Sequence, residues 1–226
     1  MITKEFLSFV PIFSDLPIET LGKIEKIGAR KVYGRGDVIL QEEEAGTALF
    51  VIVKGKVKVA RGSSDGREVI LTILSDSDFF GEMAILDGLT RSATVIAIEE
   101  SELFLIQRND FMNLLQEHPE VSISLLQELT KRLRAADMKI KALSLKDAEG
   151  KVATVILQLA DDIGRIKHGK VEIEKLPPQQ DLANMAGTSR ETISRTLHSF
   201  AKKGFVELEG SRLIILNYER FKEIFS

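Results

Sequence analysis

The stretch Gly187-Thr188-Ser189-Arg190-Glu191-Thr192-Ile193-Ser194-Arg195 comes after a short predicted helix, Pro178 to Ala186, and a turn at the glycine. On a helix beginning near Ser189, three- and four-residue spacing puts Arg190, Glu191, Ser194 and Arg195 on one face. The same spacing puts Ile193, Leu197, Phe200 and Ala201 on the other, so one side is expected to be buried and the other to be free. The free side offers two guanidinium forks, a carboxylate and a hydroxyl. In the major groove an Arg donates twice to guanine O6 and N7, and a Glu accepts from the cytosine amino group, so the set suits a G·C-containing site. Gln179 to Ala186, with small Ala183 and polar Gln180, supplies the first helix of a helix-turn-helix.

The same residues also allow a reading without DNA, in which Thr188 and Glu191 form a capping box and Glu191 pairs with Arg195. The segment C-terminal to the helix favours the first reading. Lys202-Lys203-Gly204 ends the helix with cations and a glycine, and Phe205 to Leu216 reads as a hairpin turning at Gly210-Ser211. A helix-turn-helix with a hairpin after it is a winged helix, with double-stranded DNA as partner and Ser189, Arg190, Glu191, Ser194, Arg195, Gln180 and Lys202 as candidate contacts.

The rest of the chain, 226 residues with 44% hydrophobic and 29% charged, is long enough for two domains. No apolar run approaches the ~18 to 20 residues of a membrane span, and Met1 to Phe6 lacks the regions of a signal peptide, so a cytoplasmic protein is expected. There are no cysteines, which removes disulfides, thiolate zinc sites and cysteine-ligated iron–sulfur clusters. His118, His168 and His198 show no ligand spacing, so neither a metal nor a haem is expected. The net charge of -3 is no obstacle to DNA binding, because attraction depends on where charge sits. Lys170, Lys175, Arg190, Arg195, Lys202, Lys203 and Arg212 lie towards the C-terminus, whereas Glu42 to Glu44 and Glu99-Glu100 lie towards the N-terminus.

Upstream, residues 1 to about 30 read as short helical pieces. From Lys31 to about Arg108, short runs such as Leu49 to Val53, Val69 to Ile73 and Leu103 to Ile106 are broken by Gly and Asp, which indicates an antiparallel barrel or sandwich. The turns at Lys54-Gly55-Lys56 and Ser64-Asp65-Gly66-Arg67 fit hairpins. From Pro119 to about Leu145 the chain is helical, with Ser122, Leu126, Leu129, Leu133, Ala136, Ile140 and Leu143 spaced alternately by four and three. This heptad seam, flanked by charges, predicts a parallel homodimer; the alternative is a helix packed on its own domain. A two-fold dimer would set two recognition helices about 34 Å apart on a palindromic site. The segments are 1–118, the helix and hinge at 119–146, and the DNA-binding domain at 147–226.

The densest cluster in the barrel segment is Phe79 to Val95. Gly81 and Glu82 precede a short apolar helical turn through Met83 and Ala84, whose first backbone N–H groups suit an anion. Arg91 and Ser92 add a cation and a hydroxyl, and Glu82 can accept from sugar hydroxyls, so a phosphate beside a ribose satisfies the set. A structural Glu82–Arg91 ion pair is the competing reading.

With these motifs in place, the chain resembles the cyclic-AMP-receptor and fumarate-nitrate-regulator family of bacterial transcription factors along nearly its whole length. The resemblance is carried by Val53 to Val57, Phe80 to Ala84, Arg91 to Thr94, the long helix and Ser189 to Arg195. It implies an α+β chain: an N-terminal cyclic-nucleotide-binding β-roll (a jelly-roll-like double-stranded β-helix), a dimerisation helix and a C-terminal winged helix-turn-helix. It further implies Gly81 and Glu82 at a ribose, Arg91 and Ser92 at a cyclic phosphate, and Arg190, Glu191 and Arg195 at a half-site resembling TGTGA. RNA polymerase is implied as a partner, with Ser63 to Arg67 as a candidate contact.

Four positions depart from the family pattern. Ser194 stands where cyclic-AMP receptors have Gly, as in the oxygen-sensing branch. Glu43 stands where a Gly is usual in a strand-connecting turn. Ala136 and Asp137 replace a Thr-Ser pair that holds the adenine amino group; Ala136 offers no polar side chain, whereas Asp137 could accept from an amino group. The effector could therefore be cyclic AMP with altered contacts, another cyclic nucleotide or dinucleotide, or absent. Two other function classes compete with a gene regulator. A cyclic-nucleotide module acting on a partner protein would leave the winged helix idle, and an enzyme has no nucleophile–base pair or metal set to support it.

Overall fold

The computed structural model describes residues 3–62, 68–167 and 169–225. The chain divides into two compact units, one formed by Met1–Arg67 and Leu71–Arg134, the other by Glu68–Ile70 and Ala135–Ser226.

The first unit is built on two four-stranded antiparallel sheets. Its strands are β1 (Ala29–Tyr33), β2 (Val38–Leu40), β3 (Ala48–Lys54), β4 (Val57–Gly62), β5 (Glu68–Leu74, of which residues 71–74 fall in this unit), β6 (Phe79–Phe80), β7 (Thr94–Ala97) and β8 (Ser101–Gln107). One sheet runs β1-β8-β3-β6 and the other β2-β7-β4-β5. Strand β3 shows how sequence period becomes architecture. Ala48, Phe50 and Ile52 pack between the sheets with Val57, Val95 and Ala97, while Leu49 and Val51 meet helices α1 (Lys4–Leu7), α2 (Ile18–Ile27) and α4 (Arg108–Glu117). A strand covered on both faces has no polar side to show, so it reads as an unbroken apolar run. Helix α3 (Glu82–Asp87) lies between β6 and β7.

The second unit is the winged helix-turn-helix. Helix α5 (Pro119–Leu145) crosses the division between the units at Arg134, and α6 (Ala148–Ile163) comes next, capped by Asp147, whose carboxylate accepts the Gly150 N–H at 2.8 Å. Strands β9 (Arg165–Lys167) and β10 (Lys170–Ile173) precede α7 (Gln179–Ala186) and α8 (Arg190–Lys202). Strands β11 (Val206–Glu209) and β12 (Arg212–Ile215) then complete a sheet of order β11-β12-β10-β9, and α9 (Tyr218–Phe225) closes the unit. Phe221 and Phe225 of α9 sit edge-on to Phe200 of α8, with ring centroids 5.4 and 5.2 Å away.

Several expectations need correction. Lys54-Gly55-Lys56 does not close a hairpin, because β3 and β4 belong to different sheets. Gly55 has φ 113°, and a Cβ there would come within 2.5 Å of the Ser101 hydroxyl, so the chain turns the corner beneath the β7–β8 connection. The turn 64–67 lies outside the described residues. The hairpin expected at Gly210-Ser211 does form, as β11 and β12, and it makes one edge of the four-stranded sheet. Strand β9 escapes a sequence reading because, as an edge strand with Ile166 80% exposed, it lacks the alternation that marks a half-buried strand.

Glu43, the residue in place of a usual Gly, adopts φ 72° in the turn that bonds to the Arg91 backbone (Glu43 N–H to Arg91 O, 2.9 Å). The left-handed conformation costs a side-chain-bearing residue about 1–2 kcal/mol. A glycine gives up about 0.5–1 kcal/mol more chain entropy on folding. Glu43→Gly is therefore expected to raise stability by about 0.5–1 kcal/mol, seen as a higher urea midpoint at unchanged slope.

Candidate functional site

In the first unit the candidate effector residues converge on α3 and the segment entering β7. Gly81 caps α3 at φ 85°, and a Cβ on it would meet a terminal nitrogen of Arg91 at 2.7 Å, so both its conformation and its neighbour demand glycine. The Arg91 side chain threads into the barrel wall. It is 5% exposed and donates to the carbonyls of Gly81 (2.6 Å) and Ala48 (2.9 Å), with Phe50 beside it. Its Nε is buried without a hydrogen-bond partner among the described residues. Burial pushes the guanidinium pKa down, and the charge of Glu82 only partly opposes that. Ser92 is exposed, as is Met83, whose sulfur lies 3.5 Å from the Ser92 hydroxyl, while Ala84 is buried.

The ion pair expected as the competing reading, Glu82 with Arg91, is not formed. Glu82, 4% exposed, accepts instead from Arg132 of α5 at 3.1 Å. Arg132 also donates to the Phe79 carbonyl at 2.6 Å and lies over the Phe79 ring at 4.3 Å. No local pattern could reveal this pairing, since Arg132 is 50 residues from Glu82 and reads as one charge among many on a long helix. Arg91 is thus left as a buried cation with no carboxylate bonded to it among the described residues. Such a charge is costly unless an anion compensates it, and a phosphate fits that need.

Ala136 and Asp137 lie on α5 in the second unit, and both are exposed. Along the same helix Leu126, Leu133 and Ile140 are 64%, 63% and 63% exposed, and Leu143 is also exposed. Such a row of bare apolar side chains leaves a seam for another surface to cover. Leu129 differs: it is partly buried against the core of the first unit.

In the second unit α7 and α8 meet at Gly187, and the Thr188 N–H bonds back to the Ala183 carbonyl at 3.1 Å. The cap of α8 is Ser189, whose hydroxyl accepts the Thr192 N–H at 3.2 Å; the expected Thr188–Glu191 capping box is not the one used. Ser189 is the last residue with extended backbone before the helix, one position later than the box requires. Ile193, Leu197 and Phe200 are buried, Arg190, Glu191, Arg195 and Lys202 are exposed, and Ser194 is half-buried. Neither Arg190 nor Arg195 forms an ion pair among the described residues, so both guanidinium forks are available. Backbone amide bonding at the helix start and then the Ser189 hydroxyl hold the Glu191 carboxyl below the usual carboxylate range, which keeps it an acceptor. Gln180 is exposed on α7 and bonds Asn184 at 3.0 Å. Of the basic residues concentrated at this end, Arg212 is committed to Glu172 (2.6 Å) and Glu209 (2.9 Å), and Lys203 to Glu149 (2.6 Å).

Comparison with known proteins matches both halves. Residues 30–118 match the family model of the cyclic nucleotide-binding domain, and residues 150–224 match that of the Crp-like helix-turn-helix domain. The chain is 33% identical over 216 residues to the CRP-like cAMP-activated global transcriptional regulator of Mycobacterium tuberculosis, covering 96% of each. It is 35% identical over 198 residues to the Cyclic AMP receptor protein of Thermus thermophilus, covering 88% of each. The structure of FixK2 from Bradyrhizobium japonicum matches with a TM-score of 0.78 over 88% of this chain and 98% of that one; at 23% identity this is a likeness of fold alone. No helix among the described residues is long and apolar enough to cross a membrane. With a relative one-third identical along nearly its whole length and the two domain families in this order, the chain belongs to the CRP/FNR family: it is a transcription regulator rather than an enzyme, with a cyclic-nucleotide-binding domain followed by a Crp-like DNA-binding helix-turn-helix.

Proposed function

We propose that the protein is a homodimeric, cytoplasmic gene regulator whose DNA affinity is set by a cyclic nucleotide bound in the β-roll. The observation that carries the effector reading is Arg91, a buried guanidinium without a carboxylate partner among the described residues. In this reading Gly81, Glu82, Met83, Ala84, Arg91 and Ser92 hold the sugar and phosphate, while Ala136 and Asp137 meet the base. Cyclic AMP is the first candidate because two relatives bear its name, and the Asp137 carboxylate supplies an acceptor for an adenine amino group. Calorimetric titration with cyclic AMP, cyclic GMP and a cyclic dinucleotide tests this. Saturable binding of one of them supports the reading, and no heat with any of the three overturns it.

The exposed seam on α5, Leu126, Leu133, Ala136, Ile140 and Leu143, is the proposed dimer contact, with Leu129 at its margin. An effector changes DNA binding only by binding one state of the dimer more tightly than another. The segments 1–118, 119–146 and 147–226 are the proposed effector, dimerisation and DNA-binding parts, and RNA polymerase is a proposed partner. On the DNA, Arg190, Glu191 and Arg195 read a palindromic TGTGA-like site, with Ser189, Ser194, Gln180 and Lys202 as supporting contacts.

Arg190→Ala is expected to weaken binding of that site by about 1–3 kcal/mol and to relax preference at one base pair. Competition binding against duplexes substituted one pair at a time checks it. Equal losses on specific and scrambled DNA would remove Arg190 from base reading.

A further inference from the structure

On α8 the exposed residues Glu191, Arg195, His198 and Lys202 are spaced four, three and four apart, so they form one stripe. The stripe is opposite buried Ile193, Leu197 and Phe200. Three of the four are already candidate DNA contacts; His198, midway between two of them, is not. Its ring is held in place, with Nδ1 lying 2.7 Å from the carbonyl oxygen of Ser194.

That contact fixes the chemistry of the other ring nitrogen. A carbonyl oxygen only accepts, so Nδ1 must carry the hydrogen, and the oxygen's second lone pair is enough for the ring even when the helix bond uses the first. In the neutral ring Nε2 is then an acceptor with no hydrogen. An acceptor cannot bond a phosphate oxygen or guanine O6 or N7. It can accept from the two amino donors of the major groove, adenine N6 and cytosine N4. Seven residues of helix separate His198 from Glu191, about 10.5 Å of rise, comparable with about three base-pair steps of 3.4 Å.

We infer that His198 is a specificity-determining residue of the recognition helix, reading through Nε2 the amino group of an adenine or cytosine about three base pairs from the pair read by Glu191. The inference rests on α8 being the recognition helix. The test uses the full-length protein with saturating cyclic AMP at pH 8, comparing wild type with His198→Ala on duplexes in which each half-site position takes all four bases. Wild type should prefer adenine or cytosine at one position by about 5- to 150-fold. His198→Ala should lose that preference alone and keep the preference due to Arg190.

Unchanged preference at every position in His198→Ala overturns the inference and leaves the reading of α8 intact. A uniform loss on all sequences with a smaller salt dependence also overturns it, in favour of a backbone contact. Absence of any base preference in wild type removes the reading of α8 and the inference together. Thermal unfolding of His198→Ala, expected to match wild type because the residue is exposed, separates loss of recognition from loss of fold.

Discussion

Arg91→Ala is expected to weaken cyclic-nucleotide binding by about 30- to 5,000-fold while the protein stays folded. The smaller loss corresponds to about 2 kcal/mol and the larger to about 5 kcal/mol, the range for truncating one partner of a buried charged pair. Arg91 fits that class because it is 5% exposed and no carboxylate among the described residues is bonded to it. The effect on stability is smaller for a specific reason. Removing the side chain leaves the carbonyls of Gly81 and Ala48 without their donors, which costs about 1–3 kcal/mol for each group left unsatisfied. It also relieves the structure of a desolvated charge, and the two changes oppose each other. Calorimetric titration measures the affinity, and circular dichroism with a melting curve confirms the fold. Wild-type affinity in a folded Arg91→Ala protein would place the phosphate elsewhere. Arg91→Lys should fall between the two, since it keeps the charge but loses the planar fork.

How much of this can be read from the sequence depends on whether the signal is local. The α8 face is legible because helical spacing alone separates Arg190, Glu191 and Arg195 from Ile193, Leu197 and Phe200, and the structure keeps that division. The doubly covered β3 is legible as an apolar run. Glu82 and Arg91 are legible as chemistry, but their relation is not. Their separation allows an ion pair as easily as two separate roles, and the deciding residue, Arg132, comes from a helix 50 positions away. The capping residue of α8 differs by one from the sequence expectation because Thr188 and Ser189 are both good caps by type, and the turn geometry at Gly187 selects between them. His198 stays hidden in the sequence because a lone histidine on a helix carries no spacing pattern of its own. Its value lies in the Ser194 carbonyl that sets its tautomer, a contact made only once the side chain folds back along the helix.

Phe200→Ala is expected to cost the second unit about 3–5 kcal/mol, the usual range for deleting a buried phenyl ring, and to abolish DNA binding before effector binding. Phe200 is 0% exposed, and its ring meets Phe205 at 6.3 Å, Phe221 at 5.4 Å and Phe225 at 5.2 Å. One truncation therefore removes several aromatic contacts and opens a cavity that rigid neighbours cannot fill. The loss is comparable with the whole stability of a small domain, about 5–15 kcal/mol, so the remaining margin is thin. The ring also belongs to the buried face of α8, so it helps hold Arg190, Glu191 and Arg195 at the angle that base reading requires. Arg91 and Glu82 belong to the other unit, with its own core of Leu49, Val51, Phe104 and Phe111. Calorimetric titration of Phe200→Ala should therefore still show effector binding at a temperature where specific DNA binding is lost, weakened only by what Ala136 and Asp137 of the second unit contribute. Melting should show an early transition that wild type lacks. A parallel loss of both activities in a single transition would mean that the two units fold as one and that the aromatic cluster supports more than the recognition helix.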